Sequence, residues 1–74
     1  MTENFGQLLR EKREAAEFSL EQLSFLLRHL AVSPASLALY EQNRKKPPPA
    51  IAAALANTLN IDPNLVYDLV FPAD

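Results

Sequence analysis

Residues 33–47, Ser33-Pro34-Ala35-Ser36-Leu37-Ala38-Leu39-Tyr40-Glu41-Gln42-Asn43-Arg44-Lys45-Lys46-Pro47, are the stretch on which the fold turns. Ser33 offers a side-chain oxygen to an orphan backbone N–H, and Pro34 brings a preset φ to a first helical position that needs no N–H. Leu37 and Tyr40 then fall on one face, so a helix is predicted over about 34–42. Asn43 tolerates the left-handed conformation that ends many helices and stands in for a capping glycine. Arg44, Lys45 and Lys46 follow as a basic turn before Pro47.

On both sides the pattern stays helical. Phe5, Leu8, Leu9 and Ala16 recur at helical spacing, giving a first helix over about 3–16. Ser19 with Gln22 three residues on fits a capping box and opens a second helix over about 19–30, carrying Leu20, Leu23, Leu26, Leu27 and Leu30. After Pro47, Pro48 and Pro49, an Ala-rich segment aligns Ile51, Leu55 and Leu59 in a helix over about 49–59, with Asn60 as its terminal cap. Asp62 and Pro63 open a last helix over about 63–71, whose apolar positions are Leu65, Val66, Leu69, Val70 and Phe71. No strand pattern, repeat or linker divides residues 1–74, so one compact all-α domain of five helices is expected. Gly6 sits inside the first helix, where it costs about 1 kcal/mol relative to Ala, so close approach of another backbone is expected there, with the last helix as the crossing element. Tolerated drift is the plainer explanation.

Composition narrows the chemistry. A chain of 74 residues buries a modest core, and with no Cys and one His neither a disulfide framework nor a Cys/His zinc site can be assembled. No cofactor or metal is expected. Helix packing or pairing with a second copy remains as the source of extra stability, and the 49% apolar content permits both. A homodimer is expected, with Leu65, Val66, Leu69, Val70 and Phe71 exceeding what one stripe needs and facing the second copy. Neither a membrane-length apolar run nor a basic-then-apolar N-terminal segment is present, so no membrane partner and a cytoplasmic location are expected. The net charge of -2 argues against nucleic-acid binding by bulk charge, so any such affinity must come from a local patch. No nucleophile has a base at a recognisable spacing, and Glu11 and Glu14 lie beside Arg10 and Arg13, where ion pairing is the ordinary explanation. An enzyme is not expected.

Taken together, Phe5-Gly6-x-x-Leu9-Arg10-x-x-Arg13, the capped Ser19 helix, Val32-Ser33, Tyr40-Glu41-x-Asn43-Arg44-x-x-Pro47 and Leu55-Ala56-x-x-Leu59-Asn60-Ile61 resemble the Cro and phage-repressor type helix-turn-helix family, also called XRE-like. The resemblance implies a lambda-repressor-like fold, double-stranded DNA as partner, and helix 34–42 as the recognition helix in the major groove. It further implies that Arg13 pairs with Glu41 as a structural ion pair. The DNA-facing residues it implies are Ser19, Arg28, Ser33, Pro34, Ala35, Ser36, Leu39, Asn43, Arg44, Lys45 and Lys46.

The chain departs from the family pattern in three places. Between Ser19 and Ser33 it has about three residues more than the usual spacing, around Arg28, His29 and Leu30. Leu20 stands where the family commonly has a phosphate-contacting Gln, leaving Ser19 as the polar group at that helix start. On the recognition helix, Pro34, Ala35, Ala38 and Leu39 surround Ser36, whose hydroxyl suits several bases and discriminates little. Each site also has a plainer explanation: the 44–46 run offsets a helix dipole, Ser33 and Ser36 are caps, His29 is surface or a pH-sensitive rim group, and Tyr40 is core with its hydroxyl at the edge. Two functions from different classes follow, a dimeric DNA-binding regulator and a protein-interaction module that uses the apolar surface of the same helix.

Overall fold

The computed structural model describes residues 4–72. Five helices follow one another: α1 Phe5–Ala15, α2 Leu20–Leu26, α3 Pro34–Glu41, α4 Pro49–Thr58 and α5 Pro63–Val70, with a 3-10 turn, Arg28–Leu30, between α2 and α3. Residue 3, included in the expected first helix, lies outside the described residues. The architecture is all-α, and it has no strand among the described residues.

Helix starts follow the capping chemistry. Asn4 accepts the N–H of Gln7 at 2.8 Å and opens α1, a role with an ordinary Asn signal that the expected start at residue 3 passes over. At α2 the capping box is complete: Ser19 Oγ accepts from Gln22 N, and Gln22 Oε1 accepts from Ser19 N. Ser33 caps α3 by accepting from Ser36 N, and Asp62 caps α5 by accepting from Asn64 N. Helix ends reuse one device. Glu17, Asn43 and Asn60 all take positive φ, and the residues after them, Phe18, Arg44 and Ile61, return an N–H to the carbonyls of Arg13, Leu39 and Ala56.

The expected second helix over about 19–30 is shorter in the structure. α2 stops at Leu26, and Arg28–Leu30 tighten into a 3-10 turn that ends at Ala31 with a φ of 56°. The three extra residues are thus housed as a turn rather than as more α-helix. Ser24 Oγ donates to the Val32 carbonyl at 2.6 Å, tying α2 to the strap that leads into α3.

One core holds the elements together. Leu8 and Leu9 of α1, Leu23 of α2, Leu37 and Tyr40 of α3, Ala52, Leu55 and Ala56 of α4, and Val66 and Val70 of α5 are buried in a common cluster with Leu27, Val32, Leu59 and Ile61. Several expectations need correction. Ala16 is exposed at the end of α1, and Leu26, expected on the inner stripe, is 41% exposed. Leu20, 23, 27 and 30 already complete the inward face at spacings of three and four, which turns Leu26 outward. Val66 and Val70 are 0% and 2% exposed, consumed by the chain's own core, and so are unavailable to a second copy. On α5 and at its C-cap the exposed apolar side chains are Leu65, Tyr67 and Phe71, while Leu69 is half-buried against the core.

Candidate nucleic-acid interface

The last turn of α3 is fastened to α1 at two points. Arg13 Nε donates to Glu41 Oε2 at 2.6 Å, Nη2 donates to Glu41 Oε1 at 3.2 Å, and Nη1 donates to the Phe18 carbonyl at 2.7 Å. The two side chains are only 13% and 9% exposed, so this is a shielded bidentate pair rather than a surface contact. The Glu41 hydrogen bond raises the Arg13 pKa above its ordinary value, against the opposing effect of burial.

The second fastening uses Asn43. Its Oδ1 accepts the N–H of Gly6 at 3.0 Å, and its Nδ2 donates to Asn4 Oδ1 at 2.9 Å. A Cβ on Gly6 would meet the Glu41 carbonyl oxygen, and both amide atoms of Asn43 would lie within 2.8 Å of it. The element that demands a glycine is therefore the C-terminus of α3, not α5. Asn43, expected to face DNA, gives both ends of its amide a bond to α1 and is exposed, with one Nδ2 hydrogen left over. The single-sequence signal for the glycine was present, but nothing in it named the partner.

Beyond this clamp the chain turns outward. Arg44, Lys45 and Lys46 are exposed, and no salt bridge occupies them among the described residues. Lys45 and Lys46 join Asn4, Asn43 and the buried Pro47 around a shallow depression of about 180 Å³ floored by Phe5 and Val70. Two cationic side chains beside amide groups give a rim that attracts an anion without fixing its identity. By contrast, Arg10 is exposed and paired with Glu14 along the same helix at 3.3 Å, an ordinary i,i+4 contact.

The outer side of α3 is nearly bare of hydrogen-bonding groups. Leu37 and Tyr40 point inward, and burial raises the Tyr40 pKa. Ala35 is exposed, whereas Pro34, Ser36, Ala38 and Leu39 are half-buried. Ser33 Oγ donates to Ser36 Oγ at 3.1 Å, so the one polar side chain on this surface belongs to the cap network and keeps a single free O–H to offer. Ser19 is exposed, and its oxygen is likewise engaged by Gln22 N.

Arg28 is placed apart from the basic turn. Its Nη1 donates to the Phe25 carbonyl at 3.0 Å and its guanidinium lies 4.3 Å from the centroid of the Phe25 ring. His29 beside it is exposed. Phe25 itself is 62% exposed, a large apolar side chain in the open that the sequence pattern did not single out.

This arrangement, a short capped helix pinned by its last turn and preceded by a second helix across a turn, is that of a helix-turn-helix protein. The chain matches the helix-turn-helix family model over residues 9–66, and it belongs to that family in its XRE-like form. The family is one of DNA-binding transcription regulators. No curated protein and no solved structure matches the chain. No helix among the described residues is long and apolar enough to cross a membrane.

Proposed function

We propose that this chain is a Cro/repressor-type regulator of transcription that acts as a cytoplasmic homodimer on double-stranded DNA. α3 enters the major groove, Arg44, Lys45 and Lys46 hold phosphates on one side of it, and the free O–H of Ser19 holds one on the other. The observation that carries this reading is the double clamp on α3. Arg13–Glu41 and Gly6–Asn43 fix where the helix ends, so three cations free of ion pairs among the described residues leave from a rigid point. With that backbone point fixed, what these cations lose on meeting a phosphate is their side-chain rotamer freedom alone.

Direct base readout is weak by construction. Ser36 offers one hydroxyl, and Ala35 and Leu39 can at most touch a thymine methyl, so sequence preference comes partly from DNA shape and deformability. The alternative, in which α3 is a protein-docking surface, is less well supported, because the exposed large apolar side chains belong to α2 and α5 and Leu39 is half-buried. Selection of bound duplexes from a random pool at low salt tests the proposal. Two related half-sites about one helical turn apart, with tolerant positions within each, are expected. A pool that emerges unenriched, with nothing retained in a salt-sensitive way, contradicts it.

A further inference from the structure

The outer face of α2 carries a feature that the DNA reading does not use. Phe18, Glu21, Gln22, Phe25 and Leu26 line an open groove of about 380 Å³. Within α2 these residues form two adjacent rows, Glu21–Phe25 and Gln22–Leu26, and the furrow between such rows is what the ridge of another helix fills. The lining is apolar at Phe18, Phe25 and Leu26 and acidic at Glu21, and Arg28, stacked on the Phe25 ring, adjoins its other end. Glu21 lies in the first turn with the exposed Glu17 just before it, while Arg28 and His29 stand at the other end of the helix.

We infer that this face docks against the same face of a second copy, with the two α2 helices antiparallel about a two-fold axis near Phe25. Charge complementarity selects that occupant. In an isologous contact residue i of one protomer meets residue j of the other and j meets i, so an antiparallel pairing centred on Phe25 sets the Glu21 end of one protomer over the Arg28 end of its partner. A parallel pairing would oppose like charges. Arg28 suits the position, since it gives Nη1 to the Phe25 carbonyl and its remaining N–H groups make no hydrogen bond among the described residues. Phe25 becomes the central anchor, an exposed aromatic already flanked by a guanidinium. α5, with Val66 and Val70 withdrawn into the core, presents no comparable arrangement of opposite charges at the two ends of an apolar furrow. This inference deepens the pairing proposed above by locating it.

Sedimentation of the 74-residue chain without DNA reads the association directly. The unmodified chain is expected to be dimeric at about 100 µM, and Phe25→Glu to weaken pairing by about 30-fold or more, as the loss of a central anchor does. Phe71→Glu at the C-cap of α5 should leave it unchanged. Glu21→Arg and Arg28→Glu should each weaken pairing, and the two together should restore it, a recovery that no folding defect can imitate. A monomeric unmodified chain at that concentration overturns the inference. So does a dimer broken by Phe71→Glu and not by Phe25→Glu, or a double reversal that fails to recover. Because pairing is read without duplex, a chain that pairs but holds no DNA contradicts the proposed function and not this interface.

Discussion

Gly6 shows how much a single residue can require. Alanine there would gain about 1 kcal/mol in helix propensity, but it would press a methyl on the Glu41 carbonyl and the Asn43 amide and break the Gly6 N–H bond, costing about 3 kcal/mol. The clash wins, so Gly6→Ala should lower stability by about 2 kcal/mol in urea unfolding, and an unchanged midpoint would refute the packing account. The glycine was readable in the sequence as a demand for close approach. Its partner was not, because one-letter spacing does not say which distant backbone arrives. Arg13 and Glu41 call for a similar test: Glu41→Ala strands a shielded guanidinium and should cost about 3 kcal/mol. The pH dependence has a definite sign. Tyr40 and Arg13 both have pKa values raised by folding, so the stability they contribute is complete below their ordinary values, 10.0 for Tyr40, and is lost as pH rises through the raised ones. Unfolding midpoints should accordingly fall as pH rises past about 10, and a midpoint that rises there would be inconsistent with a buried Tyr40.

At the scale of elements, start signals were legible and one stop was not. Ser19, Ser33 and Asp62 cap α2, α3 and α5 through the side-chain oxygens that their residue types announce. The 3-10 turn that follows α2 ends instead through Ala31 in the left-handed region, and Ala carries no sequence signal for that conformation. Ala31→Gly relieves a local cost of about 1 kcal/mol while making the unfolded chain somewhat freer, for a net gain of about 0.5 kcal/mol. A rise in Tm of about 2–4 °C is expected, and a fall would mean that the turn is not held as described. The excess of leucines on α2 was equally misleading. Five leucines read as one stripe, yet Leu23 and Leu27 fill the core and Leu26 joins Phe25 outside, because an α-helical face is only about 100° wide.

For the whole molecule, the division of labour follows from which surfaces the core consumes. α1 holds α3 by its last turn, α5 closes the core with Val66 and Val70, and what is left outward is a basic turn, a nearly bare α3 surface and the α2 groove. A chain with a net charge of -2 can attract DNA only through such a local cluster, so affinity should depend on salt through few cations. The measurement that bears most directly on this is duplex binding followed over a range of salt, with and without the Arg44→Ala, Lys45→Ala and Lys46→Ala substitutions together. The unmodified chain should lose affinity linearly in log–log form, and the triple variant should bind every duplex more weakly with a slope shallower by about 3 per protomer, about 5 for the bound dimer. No salt dependence in the unmodified chain, or the same slope in both proteins, would contradict the assignment of the basic turn to the DNA backbone.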